Sequence, residues 1–220
     1  MEWALLASLS DVEREHVLKV ARHRRFDRGE VIFHEGDPAD SMHLVASGKL
    51  AVRSSTEAGD TATLNILSPG SFFGELSLLR DVDARVRTAS IVALEPVETL
   101  SLPASAFREL CEKHPQVEQL VSSLLARRVE QLTQSLLEAL YDSLDRRVYR
   151  RLLELSEIYA PGADAATIPL TQTQLADLVG GSRPSVNQVL QKLAASGAVN
   201  LTRGSIEVLD LPSLQRRASL

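Results

Sequence analysis

The spacing of apolar residues changes twice along the chain, and each change marks a new kind of element. Over residues 4–22, Leu5, Leu9, Val12 and Val20 fall near one face, which predicts a short amphipathic helical opening restarted at Ser10. From Phe26 to Leu102 the apolar residues come in short runs, VIF, MHLVA, KLAVR, ATLNIL, FFGELSLL, RTASIVAL and VETLSL. Glycine, proline and aspartate separate them, at Arg28-Gly29, Glu35-Gly36-Asp37-Pro38, Ser47-Gly48, Ala58-Gly59-Asp60 and Pro69-Gly70. This is the signature of successive short strands, roughly eight of them, closing as a two-sheet roll. After Leu102-Pro103 the period becomes helical. Val117, Val121, Leu125, Val129, Leu132, Leu136 and Leu140 repeat every three or four residues, widened by Leu120, Leu124 and Leu137. A helix of about 28 residues is about 40 Å long, more than a roll of this size can cover. Part of its stripe is therefore expected to pack on a second copy of the chain.

The C-terminal part begins with a helix over 146–158 and a loop over Tyr159–Asp164. Two short helices are expected next, Thr171–Val179 and Ser182–Leu193, joined by Gly180-Gly181, with Thr171 and Ser182 as N-caps and Pro184 in a first turn that tolerates it. Leu175, Ala176, Val179, Val186, Val189, Leu190 and Leu193 supply a small core for a helix-turn-helix. Val199–Val208 reads as a hairpin turning at Arg203-Gly204, the wing. The whole is an α+β chain with a jelly-roll-like β-roll and N-terminal helix over 1–115, a long helix over 116–145, and a winged helix-turn-helix over 146–220.

Charge sharpens this division. The net charge is −5, but residues 146–220 carry 9 Lys and Arg against 6 Asp and Glu, while residues 1–145 carry 15 against 23. Only the C-terminal part has the sign that suits a polyanion. Cys111 is the single cysteine, which excludes an intrachain disulfide, a cysteine-ligated iron–sulfur cluster within one chain and a Cys-rich zinc site. It sits among Phe107, Leu110 and Val117 in a helical pattern and reads as packing. The opening residues lack the basic region of a secretory signal, and the longest uncharged stretch, Thr61–Gly74, falls short of the about 20 apolar residues of a membrane span. A cytoplasmic protein is expected.

Phe73-Gly74-Glu75-Leu76-Ser77-Leu78-Leu79 followed by Arg87-Thr88-Ala89 gathers what a cyclic nucleotide needs. Gly74 lets backbone approach a phosphate, and a short helix from Glu75 presents N–H groups of Leu76 and Ser77 to the anion. Glu75 can accept from a ribose hydroxyl. Arg87 can pair bidentately with the phosphate, and Thr88 adds a hydroxyl. Arg85 is a second candidate for the phosphate. The competing reading is a structural Glu75–Arg87 ion pair.

These motifs resemble the cyclic-AMP receptor/fumarate-nitrate regulator family of transcription factors over nearly the whole chain. The resemblance rests on Gly29, Gly36-Asp37, Ser47-Gly48-Lys49, FFGELSLL with RTAS, Ala126-Arg127-Arg128 through Leu144-Asp145-Arg146 to Leu152-Leu153, and the helix-turn-helix. It implies an allosteric homodimer binding palindromic double-stranded DNA, with RNA polymerase as a partner, a hinge near Asp142–Arg146 and cyclic AMP as the leading effector. The base would meet Leu132-Thr133, where members responding to cyclic AMP carry two polar residues; Thr133 can bond a base and Leu132 cannot. Another ligand, or activity without one, is the alternative. On the DNA side the resemblance makes Arg183, Pro184, Ser185 and Gln188 the start of the recognition helix, with Arg183 on guanine. Thr171, Gln172, Ser182, Ser185 and Lys192 become phosphate contacts. Pro184 and Gln188 depart from the usual pattern and imply a different half-site. Two remoter readings remain: a nucleotide-binding regulatory module without DNA activity, and a cupin-type metal enzyme, for which His34 and His43 are too isolated to serve.

Overall fold

The computed structural model describes residues 3–79 and 86–219. The chain divides into two compact units, Met1–Val129 and Glu130–Leu220, whose boundary falls inside one long helix.

The first unit opens with a 3-10 turn, Ala4–Leu6, and α1, Asp11–Val20. Ser10 caps α1 in a reciprocal box with Glu13 and so resets the helical phase. The restart expected at Ser10 is found, and the placement of Val12 and Val20 on the apolar face is corrected. Leu5, Leu6 and Leu9 are buried, whereas Val12 and Val20 point outward and Val17 and Leu18 pack on the core instead.

Eight strands follow: β1 Arg22–Phe26, β2 Val31–Phe33, β3 Ser41–Ser47, β4 Leu50–Ser55, β5 Thr61–Leu67, β6 Phe72–Phe73, β7 Ser90–Ala93 and β8 Val97–Pro103. They form two antiparallel four-stranded sheets, ordered β1-β8-β3-β6 and β2-β7-β4-β5. Both sheets contribute to one core, Val45, Phe73 and Val97 meeting Leu50, Val52, Leu67, Ile91 and Ala93. The alternating residues of β3 and β8, Met42, Leu44, Leu100 and Leu102, form a second core with Leu5, Leu6, Phe107, Val117 and Val121. Complete burial of such side chains contributes roughly 1.5–3 kcal/mol each. FFGELSLL is not one strand: after Phe73 it turns into the short helix α2, Glu75–Leu78. α3, Ala104–Lys113, and α4, Pro115–Tyr141, complete the helical run.

The second unit holds the end of α4, then α5 Leu144–Tyr159, β9 Ala166–Ile168, α6 Gln172–Val179, α7 Arg183–Ala195, β10 Val199–Thr202, β11 Ser205–Val208 and α8 Leu211–Ser219. β9 joins the hairpin in a three-stranded sheet, β10-β11-β9, with β11 in the centre. Val148, Leu152, Leu155, Ile168, Leu175, Val186, Leu190, Leu193, Ile206 and Leu214 are all but inaccessible and make one small core. No described helix is long and apolar enough to cross a membrane.

Candidate ligand pocket and nucleic-acid interface

In the first unit a small cavity of about 60 Å³, partly open to solvent, is lined by Gly74, Glu75, Leu76, Ser77, Arg87 and Thr88, six of the residues expected from the sequence. Arg85 lies outside the described residues. Thr133 occupies an exposed position on α4 in the other unit.

Gly74 caps α2 at φ 87°, a left-handed conformation natural to glycine. A Cβ there would stand 2.7 Å from Arg87 Nη1 and 3.2 Å from the Ser41 carbonyl oxygen. Glycine therefore makes room for the arginine as well as for a ligand.

Arg87 is 4% exposed and its guanidinium lies 4.0 Å over the Phe33 ring. Nη1 donates to the Ser41 carbonyl at 2.7 Å, and Nη2 lies 3.6 Å from Asp40 Oδ1. Its Nε is buried with no acceptor among the described residues. Burial lowers the pKa of this guanidinium, and Asp40 and Asp37 pull it back up. A buried cation with an orphan donor beside a cavity is arranged to receive an anion.

Glu75 is partly buried and makes no ion pair with Arg87; among the described residues the arginine's carboxylate partner is Asp40. Burial raises the Glu75 pKa, a backbone hydrogen bond opposes that, and the positive charge of Arg128 lowers it further. Arg128, on α4, lines the cavity and was not singled out as a ligand contact from sequence. Its signal was the helical spacing, one turn before Leu132.

The apolar side of the cavity is Phe33, Val52, Leu67, Phe72, Phe73 and Ile91. Behind Phe73, His43 stacks on its ring at 5.0 Å and 8°, with Nδ1 3.0 Å from Thr99 Oγ1. Burial, then Arg87 and Arg24, press the His43 pKa down to about 4, against Asp40. His43 is thus a neutral core aromatic. No group of three or more described His, Cys, Asp or Glu residues could hold a metal ion. Burial, with Glu118 and Glu112, pushes the Cys111 thiol up to about 11.

In the second unit the expected caps form. Thr171 Oγ1 accepts from the Gln174 N–H while Gln174 Oε1 accepts from the Thr171 N–H. Ser182 Oγ accepts from the Ser185 N–H, with Pro184 in the first turn of α7. The turn between the helices is tight. A Cβ on Gly181 would stand 2.7 Å from Leu144 Cδ1, and Arg147 Nη1 donates to the Val179 carbonyl at 2.7 Å, fixing the end of α6.

Ser182, Arg183, Pro184 and Gln188 are exposed. A polar groove of about 250 Å³, open to solvent, brings Arg183, Thr171 and Gln172 together with Thr173 and with Thr202, Gly204 and Ser205 of the wing. The wing residues were missed from sequence, because β10 and β11 signal a hairpin without saying which side of it faces α6. Lys192 is not gathered into this groove. It lies near the other end of α7 and donates to Asp145 Oδ2 at 3.2 Å.

Comparison with known proteins finds relatives of both parts of the chain. Residues 23–114 match the family described as cyclic nucleotide-binding domain, and residues 146–217 match the Crp-like helix-turn-helix domain. A cyclic AMP receptor protein of Thermus thermophilus is 34% identical over 215 residues, covering 97% of this chain and 96% of the relative. A CRP-like cAMP-activated global transcriptional regulator of Mycobacterium tuberculosis is 32% identical over 196 residues, covering 88% and 86%. Among solved structures, a transcriptional regulator of the crp/fnr family from Eubacterium rectale superposes with a TM-score of 0.79 at 22% identity, covering 99% of both chains. The c-di-GMP responsive global regulator of Xanthomonas campestris gives 0.78 at 22% identity, covering 90% and 99%. The roll, the capped helix-turn-helix and these relatives agree, and the chain belongs to the cyclic-AMP receptor/fumarate-nitrate regulator family of DNA-binding transcription regulators.

Proposed function

We propose that the chain is a cytoplasmic homodimer whose affinity for a palindromic DNA site is set by a cyclic nucleotide, with cyclic AMP the leading ligand, and which acts on RNA polymerase at the promoter. The observation that carries the ligand is Arg87, a buried guanidinium with an unused Nε beside Glu75 and Arg128 in one cavity. A cyclic phosphate supplies the missing acceptor, and a ribose hydroxyl would be a further donor to the Glu75 carboxylate. Dimerisation is supported by α4, whose Val129, Leu136, Leu140 and Tyr141 are from 59% to 80% exposed, an apolar stripe that a second copy would cover. Cyclic AMP is also the effector in the names of the Thermus and Mycobacterium relatives.

Leu132 favours a second reading. An aliphatic residue where a base would seek a polar partner points to a different nucleotide, and the Xanthomonas regulator of similar fold responds to c-di-GMP. Calorimetric titration with cyclic AMP, cyclic GMP and c-di-GMP separates the readings, with Arg87→Ala as control. Micromolar binding of cyclic AMP, weakened about 100-fold or more by the substitution as two charged hydrogen bonds are lost, supports the first reading. Tighter binding of another nucleotide supports the second; no binding by any of the three overturns nucleotide control.

A further inference from the structure

The junction of α4 and α5 is a corner of two residues, Asp142 and Ser143, the second of them extended. The α4 ladder runs on through the Asp142 N–H to the Glu138 carbonyl at 3.0 Å, and the α5 ladder starts with the Arg147 N–H to the Ser143 carbonyl at 3.1 Å. Ser143 is extended, at φ −63° and ψ 154°, and its Oγ caps α5 by accepting from the Arg146 N–H. So short a hinge is sensitive. α5 has 16 residues, about 24 Å at 1.5 Å per residue, so a change of about 20° at the corner moves its far end by about 8 Å. That is more than two base-pair steps of about 3.4 Å.

Four charged side chains span this corner. Arg146 Nη1 donates to Asp142 Oδ1 at 2.9 Å, and Arg150 Nη1 donates to Asp142 Oδ2 and lies 3.0 Å from Glu138 Oε1 in an ion pair. Gln134 Nε2 donates to Glu138 Oε1 at 3.2 Å and orients it. Glu138 and Arg150 are twelve residues apart, about 18 Å along a straight helix. Their 3.0 Å contact exists only because the chain bends at Ser143, so the pair reports the bend and resists its opening. The two carboxylates are 12% and 19% exposed and the two guanidiniums 32%, which screens the network less than a surface pair. All of it lies within the second unit.

We propose that Glu138, Asp142, Arg146 and Arg150 form an ionic clasp that fixes the α4–α5 angle and thereby the spacing at which a dimer presents its two recognition helices. Asp142 and Glu138 are positioning residues: they act on DNA through the corner. The inference rests on the dimeric reading given above, and its test keeps the two apart.

Two variants, Glu138→Gln with Asp142→Asn, and Arg150→Met, remove the charge pairing and keep the side-chain volume. Both are checked for folding by thermal unfolding and for assembly by sedimentation. On a palindromic site the clasp variants are expected to bind roughly 5–10-fold more weakly, the effect of about 1 kcal/mol. An isolated half-site should be bound as by the unsubstituted protein. Discrimination against sites with one base pair added to or removed from the spacer should shrink by the same factor, which general destabilisation does not produce. The corner is also read directly by spin labels on Gln131→Cys and Gln191→Cys in a Cys111→Ala background, spin-diluted with unlabelled protein. The distance distribution is expected to broaden in the clasp variants. An unchanged width overturns the clasp, as does unchanged spacer discrimination in a folded dimeric variant. An unsubstituted protein that sediments as a monomer, with a corner that broadens on clasp removal, overturns the dimeric reading and upholds the clasp.

Discussion

The two sites of this chain are built on opposite terms. In the candidate pocket the proposed ligand groups are buried at a cost: Arg87 is 4% exposed with an orphan Nε, and burial moves both its pKa and that of Glu75 toward the neutral form. On the proposed DNA face the candidate contacts, Arg183, Pro184 and Gln188, are exposed, and their placement is supplied by neighbouring caps and turns. Those neighbours are the Thr171 and Ser182 caps, the Gly180-Gly181 turn and Arg147 against the end of α6. In the first site affinity and stability are therefore set by the same residues, and in the second they are separable. Sequence specificity in such a family can drift by surface substitution, whereas a change of effector has to be accommodated by the core of the roll.

The largest test of this difference is acid stability. A His43 pKa near 4 in the folded protein, against an ordinary value of 6.5, means the unfolded chain takes up a proton that the folded chain refuses. The stabilisation is present above pH 6.5 and is lost as pH falls toward 4, by about 3 kcal/mol from this group over the whole range. All five histidines lie in the first unit. Chemical denaturation from pH 7 to pH 4.5, compared with His43→Phe, is expected to show a shallower pH slope in the variant; equal slopes would remove His43 from the account. Next in size, Arg183→Ala should weaken specific DNA binding by about 1–3 kcal/mol, from loss of a bidentate guanine contact. Its unfolding free energy should stay within about 0.5 kcal/mol of the parent, and a larger loss would break the contrast between the sites. Glu75→Gln sharpens it from the other side. Loss of one charged acceptor should weaken nucleotide binding roughly tenfold. The ligand-free protein should become more stable at pH 7, because a carboxylate with a raised pKa opposes folding once ionised. That advantage should vanish as pH falls through the ordinary carboxylate range.

Period and punctuation made most of the architecture legible. Seven of the roll's eight strands, the long helix, the helix-turn-helix and the Arg203-Gly204 hairpin were each readable from apolar spacing and turn residues. β1 was not, since Arg22-His23-Arg24-Arg25 has no apolar alternation and pairs at a sheet edge with β8. β9 was missed because three residues, Ala166–Ile168, carry too little pattern to be told from a loop. In the site, the residues adjacent in sequence to FFGEL and RTAS were found. Arg128 and Phe33 reach the cavity from elements distant along the chain, which only the closed roll reveals. The stripe through Val12 failed for a local reason, the capping box at Ser10, which ends one helical phase and begins another.

The smallest effect concerns Thr171, where cap and proposed phosphate contact fall on one hydroxyl. Thr171→Ala removes the acceptor for the Gln174 N–H and is expected to cost about 1 kcal/mol of stability in the second unit, while Thr171→Ser should keep most of it. DNA affinity should fall in the alanine variant, yet the slope of log affinity against log salt should not change, because a neutral hydroxyl displaces no counterion. Lys192→Gln is the matching control: if Lys192 leaves Asp145 for a phosphate in the complex, its loss lowers that slope by about 0.9. A Thr171→Ala protein as stable as its parent would show that the box contributes nothing to holding α6. The separation of reading from building on the DNA face would then rest on Ser182, Arg147 and the glycine turn alone.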